Sequence, residues 1–184
     1  MAGIGIYFSS PYLAATATPN LMTSIRLANH TDLATIQQLA EATWEPTYRS
    51  ILTQEQIAYM FDVIYTPDAL TKQMQNGQTF MLLQENNIPV GFAAFSVKEL
   101  ATQVYKLNKI YLLPETQGKG YGKMLLQAVE QEIKSRGAHT LDLNVNRYNK
   151  AKSFYERCGY HVHHEEDIAI GPYWMNDYVM RKAL

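Results

Sequence analysis

K-I-Y-L-L-P-E-T-Q-G-K-G-Y-G-K, running from Lys109 to Lys123, is the stretch whose reading decides the fold. An apolar, strand-forming run ends at Pro114. A short polar turn follows, then Gly118, Gly120 and Gly122 at every second position, then a segment of helical period. This predicts a strand, a loop of closely spaced backbone N–H groups and a helix N-terminus. Glycine lets backbone approach a ligand closely, and a helix start adds unpaired donors at the positive end of its dipole. Together they would cradle a pyrophosphate. Two other phosphate motifs are excluded. The nucleotide P-loop requires Gly-Lys where Lys123-Met124 stands, and the dinucleotide fingerprint requires a third glycine at Lys123 within a βαβ unit.

Working outward from this stretch, the periodicity gives a mixed series of elements. Thr23 to Ala28 alternates as a first strand, and His30-Thr31-Asp32 offers a helix cap before the buried stripe Leu33, Ile36, Leu39 and Ala40. Pro46 is expected to break or kink that helix near Trp44-Glu45. A second helix is expected from Thr53, and a short third from Pro67 to Gln75, closed by Asn76-Gly77. The period then changes to two. Thr79 to Glu85 and Pro89 to Val97 read as strands joined by Asn86-Asn87, a two-residue hairpin turn that tolerates positive φ. Gln103 to Leu113 leads into the glycine loop, and the helix after it stops at Arg136-Gly137. A strand at Thr140 to Val145, a helix at Asn149 to Arg157, and strands at Tyr160 to His164 and Tyr178 to Lys182 complete the order. The fold class is α/β: a mixed sheet with helices on both faces.

A chain of 184 residues with 47% apolar content can form one domain with its own core. Its net charge of −1 gives no bulk electrostatic case for nucleic acid or an anionic membrane. No apolar run approaches the length of a membrane span. The single cysteine, Cys158, fits a reducing cytoplasm and reads as a small buried residue rather than a nucleophile. His161, His163 and His164 read as strand surface, with no second ligand cluster to make a metal site. Residues 1–22 read as a flexible arm without the basic start of a signal peptide, and residues 23–184 as the domain.

A second motif, N-K-A-K-S-F-Y-E-R-C-G-Y from Asn149 to Tyr160, follows the glycine loop in the chain. With Gln117, Gly120 and Gly122 it resembles the paired signatures of the GNAT superfamily of N-acetyltransferases, and the resemblance runs from about Thr23 to the C-terminus. It implies the acyl-CoA N-acyltransferase fold, a mostly antiparallel mixed sheet with splayed strands. It also implies acetyl-CoA as co-substrate, no metal, and direct acetyl transfer to a primary amine in a ternary complex. Backbone groups of Ile110, Tyr111 and Leu112, opposite Asn144 and Val145, would pair with the pantetheine arm as an added strand. The Leu112 N–H would polarise the thioester carbonyl. Gln117, Gly118, Lys119, Gly120, Tyr121, Gly122 and Lys123 would hold the phosphates, Asn149 the pantetheine arm, and Tyr155 would protonate the departing thiolate. Asn149 reads equally as a helix cap.

Many members carry a glutamate on the strand leading into the glycine loop. Here Tyr105 to Lys109 holds no carboxylate, so a water relay or a residue elsewhere, such as Asp142, Glu45 or Asp177, stays open as the proton acceptor. The acceptor is expected to lie against Trp44, Tyr48 and Tyr173, between the first helix pair and a loop at Asp167 to Tyr178. Aromatics beside carboxylates suit an amine. A weaker resemblance, to bacterial polyamine (spermidine/spermine) acetyltransferases, implies a small amine. The alternatives are an N-terminal acetyltransferase of the ribosomal-protein type and a non-catalytic CoA-binding module. A homodimer is implied by the family alone.

Overall fold

The computed structural model describes residues 22–184, and the expected arm, up to residue 21, lies outside the described residues. Seven strands form one sheet in the order β1-β2-β3-β4-β5-β7-β6. They are β1 (Thr23–Leu27), β2 (Thr79–Glu85), β3 (Ile88–Glu99), β4 (Val104–Leu112), β5 (Thr140–Asn146), β6 (His161–Ile170) and β7 (Tyr173–Ala183). Every neighbouring pair is antiparallel except β4 with β5. That one parallel pair needs a crossover, which α4 (Tyr121–Ser135) supplies.

Three helices, α1 (Leu33–Tyr48), α2 (Gln54–Tyr65) and α3 (Pro67–Gln75), cover one face of β1–β4. Their core joins Ile36, Trp44, Met60 and Leu70 to Phe80, Leu82 and Phe92. On the opposite face α4 and α5 (Ala151–Arg157) pack Leu125, Val129, Ile133 and Tyr155 against Phe95, Leu107, Leu141 and Leu143. Among the described residues no helix is long and apolar enough to cross a membrane.

Local chemistry sets most boundaries. The Thr53 hydroxyl accepts from the Gln56 N–H to start α2, and that of Thr66 accepts from Ala69 to start α3. Asn86 and Asn87 take φ of 52° and 66° in the β2–β3 turn, conformations that asparagine tolerates. Three expectations are corrected. The first cap is Asn29, whose side chain accepts from Thr31 while Asp32 reaches back to the Asn29 N–H. The helix does not break near Trp44-Glu45, because Pro46 falls in the last turn of α1, where only one intrahelical bond is lost. The last two strands are longer than their sequence pattern suggests. The expected loop from Asp167 to Tyr178 is the end of a β6–β7 hairpin turning at Gly171-Pro172.

Candidate active site

The parallel contact between β4 and β5 lasts four residue pairs, from Val104–Thr140 to Leu107–Leu143. Beyond it β4 stays with β3 and β5 stays with β7, so the sheet opens into a cleft of about 1330 Å³ that reaches both faces. The ladder decides which backbone groups face the opening. Leu113 donates its N–H to the Val90 carbonyl at 2.9 Å, so Gly91 and Leu112 form a non-hydrogen-bonded pair. By the alternation of an antiparallel ladder, the N–H and C=O of Leu112 and Ile110 then point away from β3, into the gap. Those of Tyr111 turn to Phe92 instead. The expectation of free backbone groups on Tyr111 is therefore corrected; this residue lines the cleft with its ring.

On the α4–α5 face, Gly118 and Gly120 have φ of 81° and 83°, and a Cβ at either would meet nothing within 4 Å. Glycine is needed there for its conformation, and the space before it is open. Gly120 caps α4 without a side chain, which leaves the first-turn N–H groups aimed out of the helix. Gly122 allows α4 to approach Leu112 and Phe154, each about 3.5 Å from where a Cβ would stand. Gln117, Lys123, Lys150 and Arg157 line the same end of the cleft. Asn149 accepts from the Ala151 N–H at 2.8 Å and so caps α5. Lys119 departs from expectation. Its ammonium lies 3.1 Å from Glu85, outside the cleft lining. Tyr121 is buried and lines the cleft, and its hydroxyl donates to the same Glu85. Open glycine backbone, an uncommitted helix start, two outward ladder groups and three cations fit a thioester cofactor bearing phosphates.

Tyr155 lines the middle of the cleft, 7% exposed, and burial pushes its phenol well above the ordinary tyrosine value. It is thus a neutral proton donor throughout the physiological range.

On the α1–α3 face the lining is aromatic. The Trp44 ring sits 4.4 Å from Tyr48 and 6.0 Å from Tyr111, and its indole N–H donates to the Ile57 carbonyl. The Tyr48 and Tyr111 hydroxyls are 3.2 Å apart, with Tyr65 edge-on to Trp44. Tyr173 is absent from this wall; it stacks on Tyr59 of α2 at 5.5 Å and holds the hairpin down.

The three carboxylates left open by the sequence separate cleanly. Glu45 lines a small depression between α1 and α2. Asp142 is fully buried, bonded to Lys98 and Arg181, and outside the cleft. Among the described residues Asp177 is the one carboxylate in the cleft lining, only 5% exposed, and its Oδ1 has no hydrogen-bond partner there. Burial raises its carboxyl to about 6, against the opposing pull of Lys106. Asn144 lies on the neighbouring strand and donates to Glu166. Sequence reasoning passed over Tyr65, Lys106 and Lys109. The lysines are the signal that could have found this wall, since each interrupts an otherwise apolar strand.

A family model described as an acetyltransferase (GNAT) domain matches residues 48–179. Spermidine N(1)-acetyltransferase of Thermoplasma acidophilum is 29% identical over 144 residues, 75% of this chain and 88% of its own length. The ribosomal protein bS18-alanine N-acetyltransferase of Haemophilus influenzae is 37% identical over 93 residues, 49% of this chain and 61% of its own length. The crystal structure of PaiA N-acetyltransferase from Thermoplasma acidophilum in complex with coenzyme A superposes with a TM-score of 0.75 at 27% identity, covering 89% of this chain and 99% of that one.

Proposed function

The chain belongs to the GNAT acetyltransferase family, and we propose that it transfers acetyl from acetyl-CoA to the primary amine of a small molecule, by direct attack in a ternary complex. The observation that carries this reading is Asp177, a buried carboxylate without a hydrogen-bond partner on Oδ1, in a cleft that joins a phosphate cradle to an aromatic chamber.

Acetyl-CoA, when bound, supplies an acetyl thioester whose C–S bond breaks as the new C–N bond forms. The residues of the chain divide the remaining work. Gly118, Gly120, Gly122 and the first turn of α4 would hold the phosphates, with Gln117, Lys123, Lys150 and Arg157 beside them. Ile110 and Leu112 would align the pantetheine arm through their outward backbone groups, and the Leu112 N–H would meet the carbonyl oxygen as charge develops there. Asp177 would hold the acceptor's ammonium and take its proton. Tyr155 would deliver the proton needed by the sulfur. Trp44, Tyr48, Tyr65 and Tyr111 would enclose the acceptor's carbon chain and exclude water.

The likeness to the Thermoplasma spermidine acetyltransferase supports a polyamine acceptor, since aromatic faces attract an ammonium. The likeness to the bS18-alanine enzyme supports a protein N-terminus. Ile168, Ile170 and Met175 of the β6–β7 hairpin line the cleft and favour a small molecule over an extended chain. Release of CoA from acetyl-CoA, measured over a panel of small amines and an alanine-terminated peptide, tests the proposal. Turnover with small amines is expected. Turnover with the peptide alone would overturn the choice of acceptor, and no turnover with any amine would overturn acetyl transfer itself.

A further inference from the structure

The charge of the acceptor chamber carries the reading further. Among the described residues lining the cleft Asp177 is the one carboxylate, whereas Arg49, Lys106, Lys109, Lys123, Lys150 and Arg157 are cations. Three of these stand on the phosphate side, at the start of α4 and on α5. The other three, Arg49, Lys106 and Lys109, belong to the acceptor side. Lys106 is already matched by Asp177, Glu166 and Asp142, whereas Lys109 faces no carboxylate among the described residues. An unmatched cation in the chamber does not suit an acceptor with several ammonium groups.

Lys109 is the sharpest of the three. It is 8% exposed, and its Nζ donates to two neutral oxygens, Gln73 Oε1 at 2.6 Å and Gln78 Oε1 at 3.1 Å. The rings of Tyr65 and Phe80 lie 5.8 and 5.6 Å away. A buried ammonium is ordinarily matched by a carboxylate, because desolvation of the charge is otherwise poorly repaid. Here that counter-charge is lacking, and burial lowers the group to about 8. Lys109, Gln73 and Gln78 all line the cleft, at the end walled by α2 and α3, while Asp177 lines it from β7. Tyr65 and Tyr111 also line the cleft.

Resting on the acetyl-transfer reading above, we infer that the acceptor is an amino carboxylate, with its ammonium at Asp177 and its carboxylate at Lys109. The acid repays the burial of Lys109, and the tyrosines contact the carbon chain between the two ends. An acceptor with a second ammonium group at the far end would place that cation against Lys109. Specificity then arises by repulsion as well as attraction.

The test compares a series of ω-amino carboxylates of increasing chain length with their carboxamide analogues and with spermidine, on the full chain with acetyl-CoA. At the best chain length the acid is expected to have a KM about tenfold or more below that of its carboxamide, with similar kcat. In Lys109→Met that KM advantage is expected to disappear while the carboxamide is still turned over. If Lys109→Met does not fold, judged by its melting curve, the acid-to-carboxamide ratio of the unaltered enzyme and of Lys109→Gln decides. Equal KM for acid and carboxamide at every length would overturn the inference, as would spermidine outpacing every acid. Either result would leave acetyl transfer standing. Failure of every amine would remove acetyl transfer, and this inference with it.

Discussion

Asp177 has a carboxyl near 6, above the usual aspartate value of about 3.9 in an unfolded chain. The folded protein therefore retains a proton on this group between roughly pH 4 and 6 that the unfolded chain has released. The associated stabilisation is complete below pH 4 and is lost as pH rises through 6, so at neutral pH Asp177 is charged at a cost to the fold. Asp177→Asn is expected to raise stability at neutral pH by up to about 3 kcal/mol in denaturant titrations, while lowering kcat by about a hundredfold or more. The unaltered enzyme should lose kcat/KM below about pH 6, and the variant's residual rate should be flat there. A variant as active as the parent would remove Asp177 from proton transfer. Tyr155→Phe separates the second proton. Its kcat should fall about tenfold or more, with CoA affinity by calorimetry unchanged.

At the scale of elements, the β6–β7 hairpin roofs the acceptor chamber, and its height is set at Gly171. This residue has φ of 58°, and a Cβ there would lie 2.0 Å from the Tyr59 hydroxyl. Gly171→Ala is expected to lift the hairpin tip from α2 and raise the acceptor KM about fivefold or more, with the KM for acetyl-CoA unchanged. Equal shifts in both constants would show that the hairpin does not act on the acceptor alone. The same hairpin marks the limit of what was legible in sequence. Thr53, Thr66, Asn86-Asn87 and the glycine loop specify their elements through chemistry within a few residues, so their turns and caps could be read directly. The edge strand β6 begins H-V-H-H-E-E-D and is exposed nearly throughout, so no apolar alternation announces it. Asp177 and Lys109 could be read as charges but not as residues lining one cleft. Their placement depends on β7 lying beside β5 and α3 lying over β4, and neither follows from local spacing.

For the whole molecule, the cleft exists because a sheet splits. At its closed end Asp142 of β5 binds Lys98 of β3, tying the two halves across β4, and Arg181 of the adjacent β7. Burial opposes charge on Asp142, yet Arg181 and Lys98 together hold its carboxyl below the usual range. Asp142→Ala is expected to cost about 1–3 kcal/mol in denaturant unfolding, because two partly exposed cations lose their common hydrogen-bonded partner. A change below about 0.5 kcal/mol would show that the tie is not needed. The four-pair junction between β4 and β5 also bears on how the chain assembles. Strands β2, β3 and β4 follow one another as a meander, and β6 and β7 as a hairpin, with short loops that close at little entropic cost. The parallel junction must wait for the whole α4 crossover, as β1–β2 waits for α1–α3 and β5–β7 for α5 and β6. The seam that opens the cleft therefore belongs to the non-local pairings that close after the local hairpins.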